Sequence, residues 1–289
     1  MIFLKKSIKF LVSAAAIIAA GYALISNRQL RVTEYNMPVS KLPKSFDGKK
    51  ILLIADLHKK RYGDRFDNLI NSCAACEPDY IFFAGDLYSR DEGDMLPKIT
   101  LMKRLVSIAP TYYVLGNHET DNMDNCEALC FRMKQTGVKV LRNDMSYLLC
   151  DGKAVAVYGA QLPQRYYRNK DFSHKNLPKL DADMLDKLMG KTDKNVCNFL
   201  ISHNPFPFEA YAEWGADAVF SGHCHGGIIR LPLLGGLLSP ERRFFPRYTK
   251  GIYETESKNG ASSMALTVGL GKFRLNNPAE IMLITLVKR

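Results

Sequence analysis

The stretch KILLIADLH (residues 50–58) decides the fold. Lys50 to Ala55 is an apolar run of strand length, and Asp56 and His58 follow it at once. An uninterrupted Ile-Leu run without polar alternation reads as a strand buried on both faces, as in a parallel sheet covered on each side. In open α/β sheets, ligands collect beyond the carboxyl ends of the strands. The Asp-Leu-His triplet is therefore placed where chemistry is expected. The same arrangement recurs four times: YIFFAG (80–85) runs into Asp86, and YYVLG (112–116) into Asn117, His118 and Glu119. NFLIS (198–202) runs into His203, and DAVFSG (217–222) into His223, Cys224 and His225. These motifs hold five of the six histidines of the chain. Imidazoles, carboxylates and one amide oxygen at strand ends are the donor types of a site for two metal ions.

Helical patterns separate these runs. Apolar residues at helical spacing predict helices over Asp64–Cys76, Asp94–Ile108 and Asn125–Thr136, the last closed by Gly137. Further strands are expected at Val138–Leu141, Ser146–Cys150, Ala154–Tyr158, Cys197–Ile201, Ala218–Phe220, Met264–Val268 and Ile281–Val287. The expected class is α/β, with a large sheet split into two packed sheets. Gln29–Lys50 reads as a polar, mixed stretch ending in the Asp47-Gly48 turn. Two stretches break the rhythm: Gln164–Leu180 is basic and aromatic, and Ile228–Gly251 is apolar, then basic and aromatic. Each is either a contact for substrate or membrane, or an ordinary solvated loop.

Of the 289 residues, 47% are hydrophobic, ample for a sizeable core and against global disorder. Forty basic against 29 acidic residues give a net charge of +11, which favours anionic partners such as phosphate esters or acidic lipid headgroups. No basic arm is present, so nucleic acid is disfavoured as a partner. Lys5, Lys6 and Lys9 precede the uncharged stretch Phe10–Ser26, and Arg28 and Arg31 follow it. Seventeen residues lie at the short end of a spanning helix and exceed a usual signal-peptide core. The expected organisation is a signal anchor or transmembrane segment over residues 1–28 and one catalytic domain over 29–289. A cleaved signal peptide and a buried helix are the alternatives. The lysines favour a cytoplasmic N-terminus, a single pass through the cell membrane and an extracytoplasmic domain. The seven cysteines are odd in number and show no disulfide framework. Cys73 and Cys76 fall on a predicted helix and are expected to pack as small hydrophobes.

The ordered set D-x-H, G-D, G-N-H-E, a lone His and G-H-x-H resembles the calcineurin-like metallophosphoesterase superfamily. ILLIADLH, GDLY, GNHE, SHNP, SGHCHGGIIRLP and the closing NNPAEIMLITL look like a bacterial branch attached to, or exported across, the membrane. The resemblance runs from about residue 30 to the C-terminus. It implies a four-layer sandwich, two packed mixed β-sheets flanked by helices. It also implies two divalent ions, Mn, Fe or Zn. Asp56, His58, Asp86 and His225 would hold the first. Asp86, Asn117, His203 and His223 would hold the second, Asp86 bridging through its two carboxylate oxygens. His118 would serve as the catalytic acid at the leaving oxygen, with Glu119 either orienting it or standing as a plain carboxylate.

Two positions depart from the pattern. Cys224 stands where threonine is common and is expected to face away from the metals, and Ile228 occupies a place where glutamine is frequent. Lys59, Lys60 and Arg61 follow the first motif as phosphate contacts or a solvated loop. The activity implied is a phosphoesterase, expected to be a phosphodiesterase, in which metal-bound hydroxide attacks phosphorus. A pyrophosphatase acting on a UDP-diacylglucosamine lipid A precursor and an inactive metal-dependent scaffold are the alternatives. The substrate partner expected is a phosphoester, with a lipid-linked one favoured by the apolar, basic loops.

Overall fold

Neighbouring residues of each central strand enter different cores. In β2 (Lys50–Ile54), Ile51 and Leu53 face one core, while Leu52 and Ile54 face another. In β3 (Tyr80–Ala84), Phe82 and Ala84 share the first core and Ile81 and Phe83 the second. Period-two side-chain alternation with every position apolar requires cover on both faces, as the sequence implied. This computed structural model describes Gly21 and residues 29–289 apart from positions 122, 232, 272 and 273.

The first sheet has the order β1-β14-β2-β3-β4-β5, with β1 at Leu30–Val39, β4 at Thr111–Val114, β5 at Lys139–Leu141 and β14 at Ala279–Lys288. All neighbours are parallel except β14 against β2. The second sheet has the order β12-β13-β9-β8-β7-β6. These strands span Gly251–Ser257, Gly260–Leu266, Ala218–Ser221, Cys197–Ser202, Lys153–Ala160 and Asp144–Cys150. Its outer pairs are antiparallel and its inner ones parallel.

The two sheets pack face to face. Phe82 of β3 meets Phe220 of β9 edge to face, with ring centroids 4.9 Å apart. Helices Asp67–Ala75, Leu96–Val106 and Met123–Gln135 cover the outer face of the first sheet, and Ala182–Met189 and Phe208–Trp214 cover the second. A two-stranded hairpin, β10 (Arg230–Leu231) and β11 (Gly235–Gly236), stands apart from both sheets. The α/β class and the two mixed sheets agree with expectation.

Besides the two short strands of this hairpin, four elements were not legible. The stretch Gln29–Lys50, read as irregular, opens with the ten-residue strand β1, paired only with β14. An edge strand keeps its polar side chains in solvent, so LRVTEYNMPV lacks an apolar run. β12 (GIYETES) escapes for the same reason. The short helices Asn117–Thr120 and Phe208–Trp214 span barely one or two turns, too few for periodicity to register.

All seven cysteines are free thiols, and Cys73 and Cys76 are buried on their helix as expected. Among the described residues, no helix is long and apolar enough to cross a membrane. The predicted segment 1–28, apart from Gly21, lies outside the described residues.

Candidate metal centre

Asp56 leaves β2, Asp86 leaves β3, Asn117 and His118 leave β4, His203 leaves β8, and His223 and His225 leave β9. The carboxyl ends of these five strands face one crevice, and all seven predicted ligands converge there. Five of those ligands bend sharply at once: Asp56, His58, Asp86, His223 and His225 have φ between +47° and +71°. This left-handed region is unfavourable for residues with a Cβ, and such strain concentrates where packing holds functional groups in place.

Three groups of side chains could each hold a cation: Asp56, His58 and His225; His58, Asp86 and His118; and Asp86, His203 and His223. Asp86 Oδ2 lies 3.6 Å from His58 Nε2 and 3.3 Å from His203 Nε2, so one oxygen faces both halves of the cluster. Its Oδ1 accepts the His118 amide at 2.9 Å. The backbone of the next motif thus holds the second oxygen of the same carboxylate.

The protons of the imidazoles are set by their outer partners. His203 Nδ1–H donates to the Ala84 carbonyl at 2.7 Å, which leaves Nε2 as the inward lone pair. His223 Nε2 pairs with Glu241, and its Nδ1 turns toward His203 Nε2 at 3.2 Å. His223 N–H donates to Asp56 Oδ2 at 2.9 Å, while Asp56 Oδ1 is buried with no hydrogen-bond partner. Asn117 Oδ1 is likewise buried and unpartnered. Unpaired buried acceptors are costly unless something fills the space between them. Two anionic carboxylates, inward imidazole lone pairs and two orphaned oxygens fit divalent cations. Burial opposes charge on His203, yet the Asp86 carboxylate outweighs it and pushes the imidazole up to about 9. That negative field is what a dication would meet.

His118 lies at the rim, its side chain 12% exposed. Its Nδ1 accepts the Arg90 amide at 3.3 Å, so the neutral ring carries its proton on Nε2, 3.9 Å from Asp86 Oδ2.

Glu119 does not orient His118. Oε2 accepts the amides of Asp86 at 3.0 Å and Gly116 at 2.8 Å, and Oε1 that of Tyr88 at 2.9 Å. This carboxylate stitches the second and third motifs together. Burial, reinforced by the Asp86 charge, lifts it to about 7. In Glu119→Gln the amide group would confront an N–H, leaving at least one buried donor unsatisfied. Thermal unfolding should fall by roughly 5–10 °C, from a loss of about 2–3 kcal/mol. An unchanged Tm would show that the three amides do not depend on this carboxylate.

Several residues that sequence reasoning missed support the site. Glu241 is buried against His223, and no motif spacing points to it. Gln164 Nε2 donates to the Asn117 carbonyl at 2.6 Å, and the buried Tyr167 packs edge-on to His223 with centroids 5.2 Å apart. The stretch Gln164–Leu180 is thus not simply a solvated loop: its first turn walls the crevice. Asn277 donates to the His225 carbonyl at 2.6 Å. Lys98 is buried on its helix and donates to the His58 carbonyl. Cys224 is fully buried in the outer core of the second sheet, away from the cluster as expected. His174 donates to the Tyr167 carbonyl at 2.8 Å and belongs to the loop, not the crevice. Lys59 pairs with Asp91 at 2.5 Å in an exposed position. Ile228 sits at φ +43° beside the crevice, an unfavourable conformation for a β-branched residue.

Strand-end histidines and carboxylates gathered between two packed sheets define a metal-dependent phosphoesterase class of site. Residues 49–227, more than half of the chain, match the calcineurin-like phosphoesterase family, and the chain belongs to that family. It is 25% identical over 281 residues to the "Uncharacterized metallophosphoesterase YkuE" of Bacillus subtilis (strain 168), covering 94% of this chain and 91% of that one. It is 26% identical over 248 residues to the "Phosphodiesterase YaeI" of Escherichia coli (strain K12), with 82% of each chain covered. A "Transmembrane protein with metallophosphoesterase domain" of Bos taurus is 25% identical over 86% of this chain and 55% of its own length. The protein is a metal-dependent phosphoester hydrolase.

Proposed function

We propose that the chain is a phosphodiesterase that uses two divalent ions, held by Asp56, His58, Asp86 and His225 on one side and Asp86, Asn117, His203 and His223 on the other. The observation that carries this reading is the convergence on Asp86 Oδ2, 3.6 Å from His58 Nε2 and 3.3 Å from His203 Nε2, in a cluster where Asp56 Oδ1 and Asn117 Oδ1 are buried without a hydrogen-bond partner. When bound, such ions supply Lewis-acid charge and a nucleophile usable near neutral pH. The residues of the chain do the rest. Ala84 and Glu241 orient the rings of His203 and His223, so that His203 Nε2 and His223 Nδ1 face the cluster. His118 presents Nε2–H at the rim, where it donates to the oxygen that leaves phosphorus.

Two depressions flank the crevice. One is lined by Lys59, Ser89, Arg90, Asp91 and His118. The other is a cavity of about 480 Å³ with Leu180, Phe206 and Pro207 on its walls and Lys179, Asn204, Glu241 and Arg243 among them. A diester has two arms and can occupy both, whereas a monoester has one. The second cavity sets apolar side chains beside the cations Lys179 and Arg243, a mixture that suits an arm with both greasy and anionic parts, and we infer a lipid-linked phosphodiester. The name of the Escherichia coli relative supports the diesterase reading. We further propose that residues 10–26 anchor the chain in the cell membrane by a single pass, with the catalytic domain extracytoplasmic. The name of the bovine relative is in keeping with this.

The test is turnover of bis-p-nitrophenyl phosphate with added Mn, beside a diester that has an alkyl leaving group. His118→Ala should lower turnover of the alkyl diester by about 10²–10³-fold and that of the nitrophenyl diester far less, since nitrophenolate needs no proton. Metal content should not change. Equal losses on both substrates would remove His118 from the leaving-group role. Inactivity with every metal, in protein holding two ions, would favour a scaffold.

A further inference from the structure

The loop after the last histidine motif is built unlike the rest of the surface. Leu233 and Leu234 form the exposed tip of the β10–β11 hairpin, at 107% and 66% relative exposure. Phe244 and Phe245 are exposed by 71% and 57%, directly after the exposed Arg242 and Arg243. Backbone bonds make the two apolar pairs one unit: Phe245 N–H donates to the Leu237 carbonyl, and Leu237 N–H to that of Ile229. Glu241, one residue before Arg242, holds His223. The apolar, arginine-bearing surface therefore adjoins the mouth of the metal centre.

The topology adds a second, independent observation. β1 begins at Leu30, in register with Ala279 at the start of β14. β14 is antiparallel to β2, so both starts lie at the end of the sheet from which Asp56 emerges. The residues just before β14 tie that end to the hairpin base: Leu275 N–H donates to the Ile228 carbonyl and Arg230 N–H to that of Leu275, each at 3.1 Å. The apolar segment Phe10–Ser26 thus joins the domain at its catalytic end, not its far end. From Ser26 to Leu30 there are four peptide steps, which reach at most about 14 Å.

We propose that the catalytic end of the domain lies flat on an anionic bilayer, with Leu233, Leu234, Phe244 and Phe245 in the headgroup boundary and Arg242 and Arg243 on lipid phosphates. The inference rests on the reading of Phe10–Ser26 as a bilayer segment, and it names the substrate class: phosphodiesters presented at the membrane surface. Apolar tips flanked by arginines are the composition of an interfacial contact. A second copy is disfavoured as the occupant. A two-fold interface would gather two Arg242-Arg243 pairs into one contact.

The test uses the full chain in vesicles, with one tryptophan introduced at Phe244→Trp or, as a control, at Leu149→Trp. Leu149 is 72% exposed beside the β6–β7 turn. That turn lies at the opposite end, because β7 runs parallel to β8, whose carboxyl end leads to His203. The native Trp214 is buried and gives a constant background. Near-ultraviolet circular dichroism checks that each variant is folded.

In phosphatidylcholine–phosphatidylglycerol vesicles containing brominated lipid, the Phe244→Trp emission should shift to the blue and be quenched. Leu149→Trp should show neither change. Pure phosphatidylcholine, or an added Arg242→Gln, should weaken the quenching. Absence of quenching at position 244 in protein that floats with the vesicles overturns the docking while leaving the anchor standing. Protein that does not float with the vesicles overturns the anchor reading and the docking with it. A concentration-dependent blue shift in detergent without lipid would assign the surface to a second copy instead.

Discussion

Asp86→Asn is expected to lower diester turnover by at least about 10³-fold and to reduce the metal content of the protein below two ions. Changes one layer out from a metal cost 10–100-fold, so loss of the shared oxygen should cost more. The substitution is nearly isosteric, and its effect follows from the direction of one hydrogen bond. The His118 amide donates to Oδ1 at 2.9 Å and must keep an acceptor there. The asparagine carbonyl is drawn to that position. Its NH₂ group then takes the place of Oδ2, 3.3 Å from His203 Nε2 and 3.6 Å from His58 Nε2. A group with no available lone pair would stand where both halves of the cluster need one. Metal analysis of purified protein together with turnover checks this. Full occupancy by two ions in the variant would show that Asp86 is not the shared ligand.

Gly116→Ala should be the most damaging substitution that changes no donor. Gly116 has φ −93° and ψ −174°, an extended conformation that alanine adopts freely. Space is what forbids it: a Cβ there would overlap Asp86 Oδ1 and stand 2.5 Å from the Asp86 amide nitrogen. Both Asp86 atoms are already committed, Oδ1 to the His118 amide and the amide to Glu119. Relief requires the second and third motifs to separate. The expected results are a loss of roughly 10²-fold or more in turnover, as a misplacement near 1 Å brings, and a destabilisation of about 1–3 kcal/mol from overpacking. Turnover and thermal unfolding measured together check it. Wild-type values for both would mean that the loops have slack the structure does not suggest.

These two cases show where the sequence was informative. Strand runs such as KILLIA and YIFFA are apolar at every position because both faces are covered, and that alone exposes the strand ends carrying Asp56 and Asp86. Histidines, carboxylates and an asparagine recur immediately after those runs, and the family resemblance singles out Asp56, His58, Asp86, Asn117, His203, His223 and His225 among them as the expected ligands. The edge strands β1 and β12 were lost to the same logic, since an edge strand need not be apolar. Supporting residues were lost for a different reason. Glu241, Gln164 and Tyr167 lie in segments of irregular backbone, and their roles depend on which atom faces which ring.

The order of the motifs, the alternation of apolar runs with helical patterns and the chemistry of the donors were all present in the chain as written. They determined the class of fold and the strand ends at which the donor residues gather, and the family resemblance they carry pointed to the type of reaction. Tertiary structure alone decided that Asp86 Oδ2 faces both halves of the cluster, while its Oδ1 accepts the amide of His118, 32 residues away. It alone decided that Glu119 serves the backbone rather than His118. It alone put the start of β1 at the end of the sheet from which Asp56 emerges, through a parallel pairing of Leu30 with Ala279. Spacing along a sequence reports which residues share a strand or helix, but hydrogen-bond direction and the meeting of distant strands exist only once the sheets have closed.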